Sequence, residues 1–476
     1  MRNSFQTKIT EAKTLLSGNF KRAGTGWRQA FFVFAAMCSV VVASAQQQPV
    51  ELTLKDALRY ALEANQNARK AKLDVENTQY QIDEVRAGAL PQLNGSGALA
   101  YNPILQKSAL PGEFFGQPGT TLLVAFGQKW NANGGVSLSQ TIFDNSVFVG
   151  LKAAKTTAEF YRLNSQLTEE QIIEQVATSY YQVLVQRQKV GVIDSTIKTT
   201  EKVQAVLQSL YENGLAKKID VDRIVVNISN LKSQRQQLLN AVELLQNQLK
   251  FYMGMPVQTL VTVPNVELSA IQPREIPQED STDLSGRTEL AVLRSQGTLL
   301  QYQRQATKSE YLPSLSLSGS YSYQGLSNNF PIFKGQKSGT NWFPVATVGL
   351  NLRVPIFNGF ATKARLKQAD IQIRKLNEDI DQTKLSLNLA NQNAKTQINN
   401  SIITLNNQQE NVRLAKEVYS NTQNNYNNGL ATLTDLLDAE NSLTEAQNNY
   451  SSALLDYRVA EIQLIKSQGA LRTLLN

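Results

Sequence analysis

Three aspartates, Asp220, Asp435 and Asp438, have the spacing in this chain that best suits a chemical role. They follow a turn that the chain contains twice, as "YENGLAKKID" from residue 211 and as "YNNGLATLTD" from residue 426. Asp435 and Asp438 lie three residues apart near the start of a predicted helix, so their carboxylates share one face. Several copies of the chain around one axis would form a negative ring that attracts cations. Helix capping alone also favours aspartate at a helix start.

The composition excludes most catalytic chemistry. The chain has no His and one Cys among 476 residues, so it cannot form a Ser-His-Asp or Cys-His arrangement, and it lacks the commonest transition-metal ligand. The segment "GQKSG" at 335–339 lacks the full phosphate-loop motif and joins two predicted strands, which indicates an extracellular loop. We therefore expect no enzyme activity, no cofactor and no metal site.

Residues 1–45 have the pattern of a signal peptide. A basic segment is followed by the apolar run "AFFVFAAMCSVVVA" and by the small-residue motif ASA, which predicts cleavage between Ala45 and Gln46. The run is short for a membrane span, although an N-terminal anchor is the alternative interpretation. Met37 stands before Cys38, where bacterial lipoproteins usually have a small residue, so lipidation is not expected.

The mature chain carries little net charge and no cysteine. Removal of residues 1–45, with six basic residues and one acidic residue, lowers the formal net charge from +8 to +3. A charge this small is not typical of a nucleic-acid-binding protein, and no nucleic acid partner is expected. The one Cys is removed with the same segment, so packing without disulfides must stabilise the exported chain.

The two turns belong to an internal duplication. Each half is predicted to contain a helix, two strands, a very long helix, the turn and a return helix. Residues 46–252 are assigned to the first repeat and 288–476 to the second, and the proline-rich stretch 253–287 is interpreted as a connecting segment. The recurring sequences are Leu-Pro at 90 and 312, Ile-Phe at 142 and 356, and the Tyr-containing turns at 211 and 426.

Long coiled-coil helices are predicted on either side of each turn. The segment from Ser146 to Tyr211 contains no Pro and would extend about 100 Å as a helix, and its counterpart runs from about Gly359 to Tyr426. Apolar residues of the return helices recur in alternating steps of four and three, the heptad pattern of helices that wind around other helices. In the first repeat these residues include Ile224, Ile228, Leu231, Leu238, Val242 and Leu249.

The segments before the long helices alternate as membrane β-strands do. In "SLSLSGSYSY" at 314–323 and "VATVGLNLRV" at 345–354, apolar residues occupy one face and mostly polar residues the other. Outer-membrane barrel strands have this pattern, and so does a soluble, half-buried antiparallel sheet. Trp130 and Trp342 flank the strands, as membrane-interface anchors do.

The alternation assigns individual side chains to lipid or lumen. Leu350 and Val354 are placed on the apolar face, Ile142 on the apolar face of the strand that it ends, and Asn351 on the lumen face. Four strands per chain are too few to close a barrel, and an open sheet edge cannot lie in lipid because its N–H and C=O groups would lack partners. Several chains must therefore complete one barrel, and three copies would supply twelve strands.

The paired Leu-Pro entries to the strands and the paired Tyr-x-x-Gly-x5-Asp turns resemble the TolC-like outer-membrane efflux family, over essentially the whole mature chain. The resemblance implies a mixed α and β membrane protein located in the outer membrane. It implies a homotrimer that shares a transmembrane β-barrel, with four strands from each chain. It also implies a long α-helical coiled-coil barrel that extends into the periplasm.

The implied function is the exit duct of a tripartite efflux system, a passive channel for small molecules such as drugs. The implied partners are a periplasmic adaptor protein, an inner-membrane pump and outer-membrane lipid. Two alternatives remain. One is the exit duct of a type I protein or polysaccharide secretion system, and the other is an exported coiled-coil structural protein without a pore, against which the strand pairs argue.

The resemblance also assigns residues to a periplasmic gate. Asp435 and Asp438 match aspartates that line the narrow entrance, Asp220 matches an aspartate tied to a neighbouring Tyr and Arg, and Tyr426 matches that Tyr. The Arg position holds Ala431, so the lock is incomplete.

Two further assignments concern the turns themselves. Lys217 and Lys218 are candidate substitutes for the missing Arg. The residues at the tips of the turns, which are expected to contact the adaptor, are Gly214, Leu215, Gly429 and Leu430.

Overall fold

The computed structural model describes residues 50–264, 284–330 and 340–475. The predicted signal segment with Cys38, Ala45 and Gln46, part of the connecting segment, and the "GQKSG" loop lie outside the described residues. The chain divides into two units. The smaller unit contains residues 1–51 and 258–262, where β1 (Val50–Glu51) pairs in parallel with β6 (Val261–Thr262). The larger unit contains residues 52–257 and 263–476.

Each half of the larger unit contains, in chain order, a helical segment, two long strands, a very long helix and a return helix. Its first half contains α1 (Leu54–Ala64), α2 (Gln66–Ala87), β2 (Gln92–Tyr101), β3 (Lys107–Pro111), β4 (Thr121–Ala125), β5 (Trp130–Phe143), α3 (Asn145–Glu212) and α4 (Lys218–Met253). Its second half contains α5 (Thr288–Ser309), β7 (Ser314–Ser327), β8 (Asn341–Arg353), α6 (Ala361–Asn427) and α7 (Leu433–Ser467). The β3–β4 hairpin lies between the two long strands of the first half, in addition to the elements that the sequence predicts.

The long helices have the predicted length. The helix α3 has 68 residues and α6 has 67, which corresponds to about 100 Å each. Asp144 caps the start of α3, because its carboxylate accepts the N–H of Ser146 at 2.8 Å. The chain enters α6 differently, through two residues in the left-handed region, Gly359 and Phe360, both with φ 65°. Within the described residues, no helix combines the length and apolar content needed to cross a membrane.

Each long helix packs against the return helix that follows it, and α3 also packs against α7 of the other half. The heptad residues Ile224, Ile228, Leu231, Val242 and Leu249 of α4 are buried, which confirms the predicted coiled-coil face. The polar residue in this series, Arg235, forms an ion pair with Asp194 of α3. The corresponding face of α7 buries Ala439, Ala453, Tyr457, Ala460 and Leu464.

The four long strands form one antiparallel sheet in the order β2-β5-β7-β8. Its register aligns the apolar alternation of every strand, since Leu138 lies opposite both Leu93 and Gly319, and Gly319 lies opposite Val348. The neighbouring positions on the other face are polar or small, as in the row of Ser139, Ser318 and Gly349. The sheet therefore has the apolar face and the polar face that the sequence predicts.

Two of the residues assigned to the apolar face lie outside the regular strand pairing. The register shifts between Thr141 and Phe143, so Ile142 has no paired residue and Phe143 takes the position opposite Leu315. The irregularity is a β-bulge, which inserts one residue into a strand. Val354 lies beyond the end of β8 at Arg353, because Pro355 follows it and cannot donate a hydrogen bond to a neighbouring strand.

Aromatic side chains cluster at one end of the sheet, where the strands β5 and β8 begin; the helices α3 and α6 follow the opposite ends of these strands. The ring of Trp130 lies 4.5 Å from that of Tyr101 and 4.8 Å from that of Phe330, measured between centroids. The ring of Trp342 stacks on Tyr323 at 5.9 Å. The two tryptophans thus flank the strands at one level, where interfacial anchors of a membrane sheet are found.

Candidate gate at the helical tip

Both turns have the same backbone. In each, a Gly with positive φ follows the helix C-cap, Gly214 at 75° and Gly429 at 72°. The next residue, Leu215 or Leu430, donates its N–H to a carbonyl five residues earlier, in both cases at 2.8 Å. This is the Schellman arrangement, in which a left-handed Gly ends a helix while its last carbonyls stay hydrogen-bonded. Leu215 and Leu430 are 76% and 79% exposed, so the predicted contact residues lie on the surface of the described chain.

The helices that leave the turns begin differently. Thr432 caps α7 in a capping box, because its Oγ1 accepts the N–H of Asp435 at 3.2 Å while its own N–H donates to Asp435 Oδ2 at 2.9 Å. At the equivalent position before α4 stands Lys217, which makes no side-chain cap. The second hairpin therefore has a capping box, and the first hairpin lacks its counterpart.

The three aspartates lie in different environments. Asp435 is exposed. Its carboxyl accepts hydrogen bonds from Thr432, and these hold its pKa below the ordinary value, with the side-chain hydroxyl contributing more than the backbone N–H. Asp438 is exposed one turn further along α7, on the same face. Asp220 is half-buried and lies near Tyr426. The pKa of that phenol is raised, mainly by burial and additionally by the charge of Asp220.

An apolar cluster joins the two hairpins behind the turns. Tyr426 and Ala216 pack against it from the turns themselves. The cluster therefore holds the tip of the first hairpin, α3–α4, against the start of α7. Its buried members are Leu207, Val221, Ile224, Ile228, Leu433 and Leu437.

The polar link between the hairpins comes from a residue that the sequence analysis did not single out. Arg223 of α4 donates from Nη1 to Thr434 Oγ1 of α7 at 2.8 Å. Within the described part of the tip, Arg223 is thus the cation that reaches the other hairpin, and neither Lys217 nor Lys218 takes this role. The internal duplication could have indicated this residue, because Arg223 is the first-half equivalent of Asp438, which the sequence analysis assigned to the gate.

A second missed contact lies deeper along the same helices. Thr200 of α3 donates from its hydroxyl to Glu440 of α7 at 2.9 Å. Glu440 continues the buried stripe that Leu433 and Leu437 begin, in steps of four and three residues. An acidic residue at a position where the spacing predicts burial is the sequence feature that could have indicated this contact.

An antiparallel sheet with one apolar face, joined to helices of about 100 Å that meet in paired tip turns, defines an outer-membrane channel with a helical extension. The profile of the family described as "Outer membrane efflux protein" matches residues 57–254 and 281–470. The chain belongs to this family. It is an outer-membrane exit duct of the kind that serves efflux or secretion systems, with a long periplasmic helical extension.

Individual relatives agree with this assignment. The chain is 23% identical to the outer membrane protein TolC of Escherichia coli (strain K12) over 423 residues, which cover 86% of this chain and 80% of the relative. It is 23% identical to the alkaline protease secretion protein AprF of Pseudomonas aeruginosa over 345 residues, 71% of this chain and 69% of the relative. The MtrE outer membrane channel of Neisseria gonorrhoeae has the same fold, with a TM-score of 0.67, 20% identity, and coverage of 88% of this chain and 89% of that one.

Proposed function

We propose that three copies of the chain close one twelve-stranded barrel in the outer membrane. The observation that supports this most is the four-stranded sheet, whose outer strands β2 and β8 each have one edge without a partner strand in the described residues. An unpaired edge is too costly in lipid, and pairing β8 of one copy with β2 of the next removes all such edges. The same arrangement places the hairpins of three copies around one axis.

The assembled duct carries small molecules such as drugs as the exit channel of a tripartite efflux system. It supplies a water-filled path and catalyses no reaction. An inner-membrane pump supplies the energy, and a periplasmic adaptor joins the pump to the duct. The exposed tip residues Gly214, Leu215, Gly429 and Leu430 form the adaptor contact.

The narrow periplasmic entrance is built from the tip residues of the second hairpin and their neighbours. Asp435 and Asp438 of three chains form a carboxylate rim that attracts cations. Asp220, Tyr426 and the Arg223–Thr434 hydrogen bond hold the two hairpins of each chain together, and Arg223 compensates for Ala431. Separation of the hairpins widens the entrance.

The remaining organisation follows the duplication. Residues 1–45 are a signal peptide that is removed between Ala45 and Gln46. Residues 46–252 and 288–476 are two structural repeats, and 253–287 connect them.

Protein secretion is the second candidate function, because one relative is described as an alkaline protease secretion protein. Cargo assays separate the two candidates. In a host that lacks its own outer-membrane duct, the chain and the pump genes beside it are expected to restore efflux of a fluorescent drug. Restored secretion of a protease, with no drug efflux, would instead support the second candidate.

The barrel is tested by the paired variants Leu350→Arg and Asn351→Arg. Leu350 lies on the apolar face opposite Leu317, and Asn351 lies on the polar face opposite Ser316. A charge in lipid costs about 2–4 kcal/mol near the midplane, so Leu350→Arg should lower the yield of membrane-inserted trimers and Asn351→Arg should not. Native mass measurement in detergent should give three chains. A monomer, or equal assembly of the two variants, would contradict the proposal.

A further inference from the structure

Glu440 is a carboxylic acid buried between the two hairpins. It belongs to α7, and 6% of its surface is exposed. Its partner Thr200 belongs to α3 and is fully buried. The contact between them therefore joins the first hairpin to the second, two turns of α7 away from its start at Leu433.

Thr200 offers the carboxyl of Glu440 one neutral hydrogen-bond donor. Its hydroxyl lies 2.9 Å from Oε2 of Glu440 and 2.8 Å from the carbonyl oxygen of Thr196. A hydroxyl has one proton, so it cannot donate to both acceptors. The Thr196 carbonyl already accepts the helical N–H of Thr200, so the hydroxyl can donate to an ionised Glu440, whereas a protonated Glu440 can itself donate to Thr200. A single hydrogen bond from a neutral group offsets little of the cost of a buried charge, so burial at this contact favours the protonated form.

No cation compensates a charge on Glu440 in the described residues. From α3 it is faced by the neutral hydroxyl of Thr200, and from α6 by the phenol of Tyr419, whose pKa is raised by burial and by the charge of Glu440. Burial raises the pKa of Glu440 to about 7, although the hydrogen bond from Thr200 acts in the opposite direction.

The charged side chains at this level are directed elsewhere. Glu201 of α3 pairs with Lys232 of α4 at 2.9 Å, and Glu417 of α6 pairs with Arg413 at 3.2 Å. From α4, Arg223 bonds Thr434, six residues nearer to the turn. Exposed lysines on the same stretches are Lys198, Lys202 and Lys416.

We propose that Glu440 is a proton-dependent latch between the two tip hairpins. When Glu440 is neutral, α3 packs against α7. Loss of its proton places an uncompensated charge in the contact, and water can solvate this charge only if the helices separate. This inference rests on the proposed gate, because separation of the hairpins widens the entrance. An acidic periplasm thus favours the closed tip and an alkaline one favours the open tip.

The direction of the pH dependence follows from the raised pKa. The ordinary Glu pKa is about 4.3, so the latch is fully stabilising below that pH. Its contribution falls as the pH rises through about 7.

The latch is tested by the distance between the hairpins in the intact assembly. Spin labels at Glu212→Cys and Asn427→Cys report this distance when one labelled chain is diluted among unlabelled chains, since the mature chain has no other cysteine. Between pH 5.5 and 8.5 we expect the distance to increase, with a midpoint near pH 7. Glu440→Gln, which is neutral at every pH and can still donate to Thr200, should abolish the transition. Glu445→Gln, on the exposed side of the same helix, should leave the transition unchanged.

Thr200→Val supplies a second variant that removes the donor to the ionised carboxylate. The midpoint should then shift to higher pH, and an unchanged midpoint would overturn the proposal. So would a constant distance in the unsubstituted chain, or an unchanged transition in Glu440→Gln. Conductance in planar bilayers separates this inference from the proposed function. A channel that conducts without a change in hairpin distance refutes only the latch, whereas a change in distance without conduction refutes only the duct.

Discussion

The first and second tip turns have the same backbone, but their equivalent side chains have different partners. In both turns a left-handed Gly ends the incoming helix. Three and nine residues after this Gly, the two copies are equivalent in position only, since the pairs Lys217 and Thr432, and Arg223 and Asp438, differ in charge or hydrogen-bonding capacity. Thr432 caps its helix and Lys217 does not.

The difference gives the two copies of the motif different contacts. In the first hairpin, Asp220 lies beside Tyr426 and Arg223 bonds Thr434, so both charged residues are directed at the second hairpin. In the second hairpin, Asp435 is held by its own cap and Asp438 is exposed. The charged residues of the first hairpin therefore contact the second, whereas the second carries the exposed carboxylates of Asp435 and Asp438.

The largest expected effect comes from removal of that exposed charge. In planar bilayers, the unsubstituted channel should prefer cations and be blocked by multivalent cations from the periplasmic side. The double variant Asp435→Ala, Asp438→Ala should lose the block while the trimer remains intact. Asp222→Ala, which removes an exposed carboxylate from the first hairpin, is the matched control and should keep it. Identical block in all three channels would leave the two aspartates with a purely structural role.

The shared backbone predicts equal effects of Gly214→Ala and Gly429→Ala. Each substitution forces a residue with a Cβ into the left-handed region, at a cost of about 1–2 kcal/mol. Amide hydrogen exchange of the residues around each turn should show faster local opening, to a similar extent in both. The expectation fails if one turn tolerates Ala without any change in exchange.

The capping difference predicts unequal effects of Thr432→Ala and Lys217→Ala. Loss of the Thr cap should cost about 1 kcal/mol of local stability at the start of α7, whereas Lys217→Ala should change the start of α4 by much less. The pKa of Asp435 is lowered in the folded state, so its half of the capping box is present above the ordinary Asp pKa and is lost as the pH falls through the lowered value. The protection factors of the amides at the start of α7, which are corrected for the intrinsic pH dependence of exchange, should therefore decrease on acidification. Equal responses of the two helices would show that the capping box does not stabilise the start of α7 more than Lys217 stabilises the start of α4.

The smallest expected effect is that of Arg223→Ala. The hydrogen bond to Thr434 is exposed, and its loss should cost about 0.5–1 kcal/mol, which shifts a closed-to-open equilibrium a few-fold. Single-channel recordings should show a correspondingly larger open fraction. Lys218→Ala at the same tip should leave the open fraction unchanged. The link would be unimportant for the gate if the two variants behaved alike.

Most elements of the larger unit were predictable because their signals are local. The ends of α3 and α6 follow from Gly214 and Gly429, and the faces of the strands follow from alternation with a period of two residues. The differences from the regular pattern have local causes as well. The bulge at Ile142 changes which residue faces Leu315, and the β3–β4 hairpin consists of strands of only five residues, too short for a clear alternation.

The sequence by itself determined the duplication, the heptad faces, the two-faced strands and the position of both tip turns. Each of these depends on side chains within one or two turns of helix or along one strand. Only the tertiary structure decided which residues meet across the hairpins. Arg223 and Thr434 are 211 residues apart, and Thr200 and Glu440 are 240 apart. Such contacts depend on how α3 and α4 are rotated and shifted against α7, which no local pattern of residues specifies.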